Sequence, residues 1–247
     1  MVFVWIVLAA GFAGVLYIGF RCFYLLRRFT CGRDISDVFR VAEQYAAEGI
    51  RVLINYSPED VNTEEDAYRV FRTYQFLLTE LEGRRIRGDI SVKPSSLFAG
   101  TWEHQNSVHF FYRRARQLLR RARRSGCRVW FDEERTRDLE WVLPALKHFV
   151  RRHPNIGIVA RSYLRNSLER GKMYAQWHRS GANFTVRVCR GAYPGDAEVS
   201  PKKAAEQFLL LYERLTAAGV PTVAATHTLV ESVLEKNPNP VIHMLHG

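Results

Sequence analysis

The chain has 247 residues, of which 47% are hydrophobic and 25% charged, and it carries a formal net charge of +11. That length suits one large domain, and the balance excludes a chain disordered over long stretches. The four cysteines, Cys22, Cys31, Cys127 and Cys189, have neither CxxC spacing nor histidines at finger-like intervals. This pattern signals neither structural zinc nor a disulfide framework, and it reads as free thiols in a reducing compartment.

The first element is apolar. Val2 to Phe20 contains no charged residue and is about the length that spans a hydrocarbon core. Arg21, Arg27 and Arg28 follow it, and no basic segment precedes it as a cleaved signal peptide requires. Residues 1–30 are therefore expected to form a transmembrane anchor with a basic flank, and residues 31–247 one further domain. By the positive-inside rule the bulk of the chain faces the cytoplasm.

From Asp34 onward helical and strand-like segments alternate. A helix is expected over 34–48, with Ile35, Val38, Phe39, Val41 and Ala42 on its apolar face, then a strand RVLINY over 51–56. Thr63 opens a helix reaching about Leu81. Asp66 stands where Glu or Gln would better complete a capping box. ISVK (90–93) and RVWFD (128–132) are the next strands, with an arginine-rich helix between them. IGIVA (156–160), FTVRVC (184–189), PTVAAT (221–226) and PVIHML (240–245) follow, separated by helices near 137–152, 165–179, 202–218 and 228–236. Strands alternating with helices imply a parallel sheet with right-handed crossovers. No GxGxxG follows a strand, so the fold class expected is α/β, a (β/α)8-type barrel with seven of eight βα units, preceded by the transmembrane helix.

Arg113, Arg114, Arg116, Arg120, Arg121, Arg123 and Arg124 concentrate much of the charge, with Leu118 and Leu119 marking an apolar stripe among them. No aromatic stacking motif or zinc finger accompanies the run, so nucleic acid is not the expected partner. It reads as a solvated helix face, or as a surface attracted to anionic lipid headgroups.

In a βα barrel the active site lies at the C-terminal ends of the strands. The polar residues there are Glu59 and Asp60, Lys93, Asp132 with Glu133 and Glu134, Arg161, Arg187 with Arg190 and Tyr193, Thr226 with His227, and His243 with His246. Such a set suits an anionic, polyvalent ligand. Adjacent carboxylates on extended backbone point to opposite sides, so the acidic run brings at most two together and makes a poor metal site.

The segments VKPSSL (Val92 to Leu97), FDEE (Phe131 to Glu134), GIVARSYLRNS (Gly157 to Ser167), VRVCRGAY (Val186 to Tyr193), ATHT (Ala225 to Thr228) and HMLHG (His243 to Gly247) resemble the strand motifs of the proline dehydrogenase family, in that family's order. INYSPEDV (Ile54 to Val61) is similar to the first. The resemblance implies a barrel holding FAD that takes hydride from C5 of L-proline, giving pyrroline-5-carboxylate and passing electrons to a membrane quinone. It implies that Lys93 faces the substrate carboxylate, Asp132 organises the site and Arg187 sits by the flavin N5. It also implies that Arg190, Gly191 and Ala192 line the cofactor, Tyr193 packs near the proline ring, and Thr226 and His227 touch the flavin. The sequence departs from the family pattern at Arg161 and His243, where Gln is usual, and at Thr228, where Asn is usual; all three lie at or near the expected flavin. The family's eighth strand and final helix, with an Arg pair for the proline carboxylate, would follow Gly247. A tethered barrel that binds an anionic ligand or protein partner without catalysis is the alternative reading.

Overall fold

The structure is a computed structural model, and it describes residues 34–56, 58, 61–103, 105–191, 198–225 and 243–246. The expected anchor over residues 1–30 and the helix expected near 228–236 lie outside them. Among the described residues no helix is long and apolar enough to cross a membrane.

Helices α1 (Ile35–Ala47), α2 (Glu64–Gly83), α3 (Gln105–Arg124), α4 (Leu139–Phe149), α5 (Ser167–Arg179) and α6 (Pro201–Ala217) alternate with strands β1 (Val52–Asn55), β2 (Gly88–Val92), β3 (Val129–Phe131), β4 (Ile156–Arg161), β5 (Thr185–Cys189), β6 (Thr222–Ala225) and β7 (His243–His246). All strand pairs are parallel, in the order β6-β5-β4-β3-β2-β1-β7. The sheet curls. In a flat sheet β2 and β5 would stand about 14 Å apart, three strand spacings. Yet the Arg187 side chain of β5 reaches Ser91 of β2 at 3.3 Å across the concave face. The architecture is that of a partial (β/α) barrel, with β6 and β7 at the two ends of the described sheet.

Strand periodicity separates two interiors. Ile90, Val92, Val129, Phe131, Ile156, Ile158, Val186 and Val188 point outward and form one core with the helices. From α3, Phe111, Ala115, Leu118, Leu119 and Ala122 are wholly buried in it, which accounts for the apolar stripe among the arginines. Burying one such leucine stabilises by roughly 1.5–3 kcal/mol, and Leu118→Ala would cost about 2–5 kcal/mol once the cavity is included. The alternate residues, Asp89, Ser91, Trp130, Gly157, Arg161 and Arg187, face the concave side.

Local signals fix the helix ends. Thr63 accepts from the Asp66 N–H at 3.1 Å while the Asp66 carboxylate accepts from the Thr63 N–H at 3.0 Å, so Asp66 completes a capping box despite its short side chain. Those bonds hold the Asp66 carboxyl below its usual range. At the other end of a helix, α3 stops at Gly126, whose φ of 67° lets Cys127 N–H reach Ala122 O at 2.9 Å and Gly126 N–H reach Arg123 O at 3.3 Å. This double bond pattern is a Schellman motif, and it turns the chain straight into β3.

Candidate active site on the concave face

Arg187 is the centre of the described site. It is 6% exposed, and its Nη2 donates to Asp132 Oδ1 at 2.6 Å, which also accepts from Ser91 Oγ at 2.7 Å. Asp132 follows β3 directly, so three strands contribute to one ion pair. The guanidinium carbon lies 5.7 Å from the centre of the Trp130 ring, within cation–π range.

Trp130 is in turn fixed from below. Its Nε1–H donates to Asp89 Oδ2 at 3.2 Å, and Asp89 also accepts from Arg51 Nε at 3.0 Å and from the Arg128 N–H at 2.7 Å. Asp89 is fully enclosed, and the Arg51 bond raises the already high pKa of that guanidinium further. This floor lies at the N-terminal ends of the strands, away from the polar strand ends that the sequence points to; the charged Asp89 in the GDISV run is its local signal.

Lys93 continues the inward face of β2 and is half-buried at the start of a 3-10 turn, Pro94–Leu97. Its N–H lies 3.5 Å from the Tyr74 hydroxyl, which donates to Tyr56 O at 3.2 Å. Beside it, Glu134 accepts from Ser95 N–H at 2.8 Å and Ser95 Oγ at 2.7 Å. Burial pushes the Glu134 carboxyl above its usual range, outweighing those bonds and the nearby Lys93 charge.

Arg161, expected as a cofactor contact, lies in a buried ion-pair cluster. It is 1% exposed, with Nε 3.3 Å from Glu133 Oε2 and Nη1 donating to the Tyr163 hydroxyl at 2.7 Å. Glu133 also accepts from the Arg161 N–H at 2.9 Å and pairs with Arg170 of α5. A buried carboxylate demands cationic partners, and Glu133 takes both arginines. The acidic run thus splits three ways: Asp132 to Arg187, Glu133 to Arg161 and Arg170, Glu134 to Ser95.

Gly191, expected to line the cofactor, packs against a side chain of this protein. Its φ is 124°, and a Cβ there would fall 1.1 Å from a Tyr163 ring carbon. Tyr163 is pinned by its N–H to Arg190 O at 3.1 Å and by Val199 N–H to its own carbonyl at 3.2 Å. Arg190 is half-buried and donates to Pro201 O at 3.3 Å, over the start of α6. His243, also expected at the cofactor, is placed by its backbone register. It is the first residue of β7, opposite Val52, at the end of the strand remote from the mouth, whereas His246 lies opposite Asn55 at the mouth end. Ala192, Tyr193, Thr226, His227, Glu59 and Asp60 lie outside the described residues.

Of the expected free thiols, Cys127 and Cys189 are unbridged and buried enough to push their pKa values up to about 11 and about 12, so neither is a ready nucleophile.

The sequence matches the proline dehydrogenase family model over residues 38–213, more than half of the chain. No curated protein matches it significantly. Among solved structures, it is similar to proline utilization A from Bdellovibrio bacteriovorus inactivated by N-propargylglycine, with a TM-score of 0.76 and 19% identity over 89% of this chain and 28% of that one. Proline utilization A from Corynebacterium freiburgense gives a TM-score of 0.69 at 16% identity over 90% of this chain and 29% of that one. The chain thus spans less than a third of the length of these structures, and at such identities they establish a shared fold. On the family match, carried by the same strands that build the Arg187 site, the chain belongs to the proline dehydrogenase family.

Proposed function

We propose that this chain is the barrel of a flavin-dependent oxidoreductase that converts L-proline to pyrroline-5-carboxylate. The observation that carries this reading is the buried Arg187, held by Asp132 and Ser91 on the concave face of a proline dehydrogenase-family sheet.

The donor set suits FAD at one position and resists it at another. A fixed guanidinium is the group needed beside a flavin ring that gains negative charge on reduction, and Arg187 is held in place before any ligand arrives. Arg161 is paired with Glu133 and Tyr163, so a flavin would draw on Arg187, with Arg190 lining it and Thr226 and His227 as further contacts. When bound, FAD supplies the two-electron acceptor for the hydride leaving C5 of proline. Lys93, at the mouth end of β2, offers the charge that orients the substrate carboxylate, and Tyr74 supports the backbone from which it projects. Asp132 keeps Arg187 aimed, and Tyr193 would pack on the proline ring. The amine proton of proline leaves to solvent or to a carboxylate at the mouth.

Reoxidation by a membrane quinone and anchoring through Val2 to Phe20 complete the proposal. It puts the barrel on the cytoplasmic side of a membrane, held in a form that resists high salt and alkaline carbonate; full release by salt alone would refute the anchor.

The decisive test is the cofactor. The native protein containing this chain should purify with visible flavin absorption and reduce a dye acceptor with L-proline, and Arg187→Ala should weaken or abolish flavin binding. A colourless protein that FAD does not reconstitute would remove the enzyme reading in favour of a non-catalytic, anion-binding barrel. The enclosure of Arg161 is the observation that favours this second reading.

A further inference from the structure

The arginines of α3 divide by the neighbour they face. Arg114 and Arg121 lean towards α2 and are ion-paired there with Glu64 and Glu82, the latter at 2.5 Å. Arg113, Arg116, Arg120 and Arg123, at helical spacing on the side nearer α4, are exposed and have no carboxylate partner among the described residues. Helix α4 adds Lys147 and His148 and the turn after it Arg151 and Arg152, while the one acidic residue within α4, Glu140, sits in its first turn.

Between the two helices runs an open groove of about 770 Å³ with Tyr112 and Trp141 among its lining and Arg113, Arg116 and Arg120 along one wall. Tyr112 packs edge-on to His148 at 5.0 Å and against Phe149 at 4.6 Å, so the aromatic strip is fixed. The accumulated charge is felt locally. Desolvation together with Arg152 and Arg116 depresses the His148 pKa, and desolvation together with Arg120, Arg116 and Arg123 depresses that of His153. A cationic surface that repels its own histidines and pairs with no acid is complementary to an external polyanion.

We infer that the α3–α4 face docks on an anionic lipid bilayer, with Arg113, Arg116, Arg120 and Arg123 on the headgroups and Tyr112 and Trp141 at the interfacial level. Three features favour a bilayer over nucleic acid: the face is broad and open, it mixes arginine with Tyr and Trp as interfacial segments do, and the same chain carries the apolar Val2 to Phe20 stretch. That last point rests on the proposed anchor, so the test separates the two. The surface would lay the barrel on its side, with the strand axis roughly along the membrane plane.

The experiment compares binding of the full chain to phosphatidylcholine vesicles with and without phosphatidylglycerol. Insertion of an anchor needs no anionic lipid; the increment on adding phosphatidylglycerol reports the face. Arg113, Arg116, Arg120 and Arg123→Gln should reduce that increment roughly 100-fold, since each basic residue near an anionic leaflet contributes severalfold. A control variant with Lys172, Lys202, Arg179 and Arg214→Gln, equal in net charge but on α5 and α6, should retain it; circular dichroism checks that both fold. Equal loss in the two variants, or no increment in the native protein, overturns the inference. So does binding to a single-stranded oligonucleotide that the α3 variant loses while vesicle binding is unchanged, an outcome that makes nucleic acid the partner.

Discussion

The Trp130 indole lies in the space that a side chain at position 157 would take: a Cβ on Gly157 would stand 2.3 Å from a ring carbon of Trp130, its partner across the β3–β4 ladder. Because that indole supports Arg187, Gly157→Ala should act on both stability and site. The expected loss is about 1–3 kcal/mol in urea unfolding, as for overpacked cores. Adding Trp130→Leu should recover part of it, because the crowding ring is gone. A Gly157→Ala protein as stable as the native one would show that the indole is not fixed where described.

Removing Glu133 leaves two buried cations facing each other. Glu133→Gln should destabilise by about 3–5 kcal/mol, the usual cost of stripping one partner from a buried ion pair. Arg161→Gln, by contrast, leaves Glu133 paired with Arg170 and should cost less. Equilibrium unfolding of the two variants ranks them, and the reverse order would contradict the pairing.

Asp132→Asn tests orientation instead of charge at the flavin. Asn keeps an acceptor oxygen for Arg187 or Ser91 but loses the charge attraction. The expected outcome is weaker flavin binding with Arg187→Ala as the more severe change, read from visible absorption during dialysis. A variant that binds flavin like the native protein would mean that Ser91 and Trp130 alone hold Arg187.

Glu134 carries a pH prediction. Its folded pKa is raised by burial, so the folded state binds its proton more tightly than the unfolded chain. Its contribution to stability is full below the ordinary carboxylate value and is lost as pH rises through the folded value. Stability measured by urea unfolding from about pH 4 upward should therefore decline less steeply in Glu134→Gln, whose amide oxygen still accepts from Ser95 N–H. An unchanged slope would place the carboxyl in water.

The alternation of elements was legible because it rests on local period: the six helices inside the described residues and strands β1 to β6 fall within a few residues of the runs that announce them. Thr63 with Asp66 and the glycine after α3 are likewise signals read over a few positions. The site was legible as a set of residues and not as a set of partners. Glu133 pairs with groups 28 and 37 positions away, and no spacing rule says that it captures Arg161 instead of leaving it at the mouth. Gly191 looks the same in sequence whether a ligand or Tyr163 requires its missing Cβ. In the seventh strand the register that sets His243 opposite Val52 and His246 opposite Asn55 is a long-range pairing that the run PVIHML does not encode.

The Asp89–Arg51–Trp130 floor has a kinetic corollary. It closes the concave side at the N-terminal ends of β2 and β3, so a small molecule that approaches Arg187 along the strands uses the doorway at their C-terminal ends. An electron donor and an electron acceptor that both use that doorway must take turns. Initial rates against proline at several acceptor concentrations should then give parallel reciprocal lines, the signature of a shuttling two-stroke cycle in place of a complex holding both partners at once.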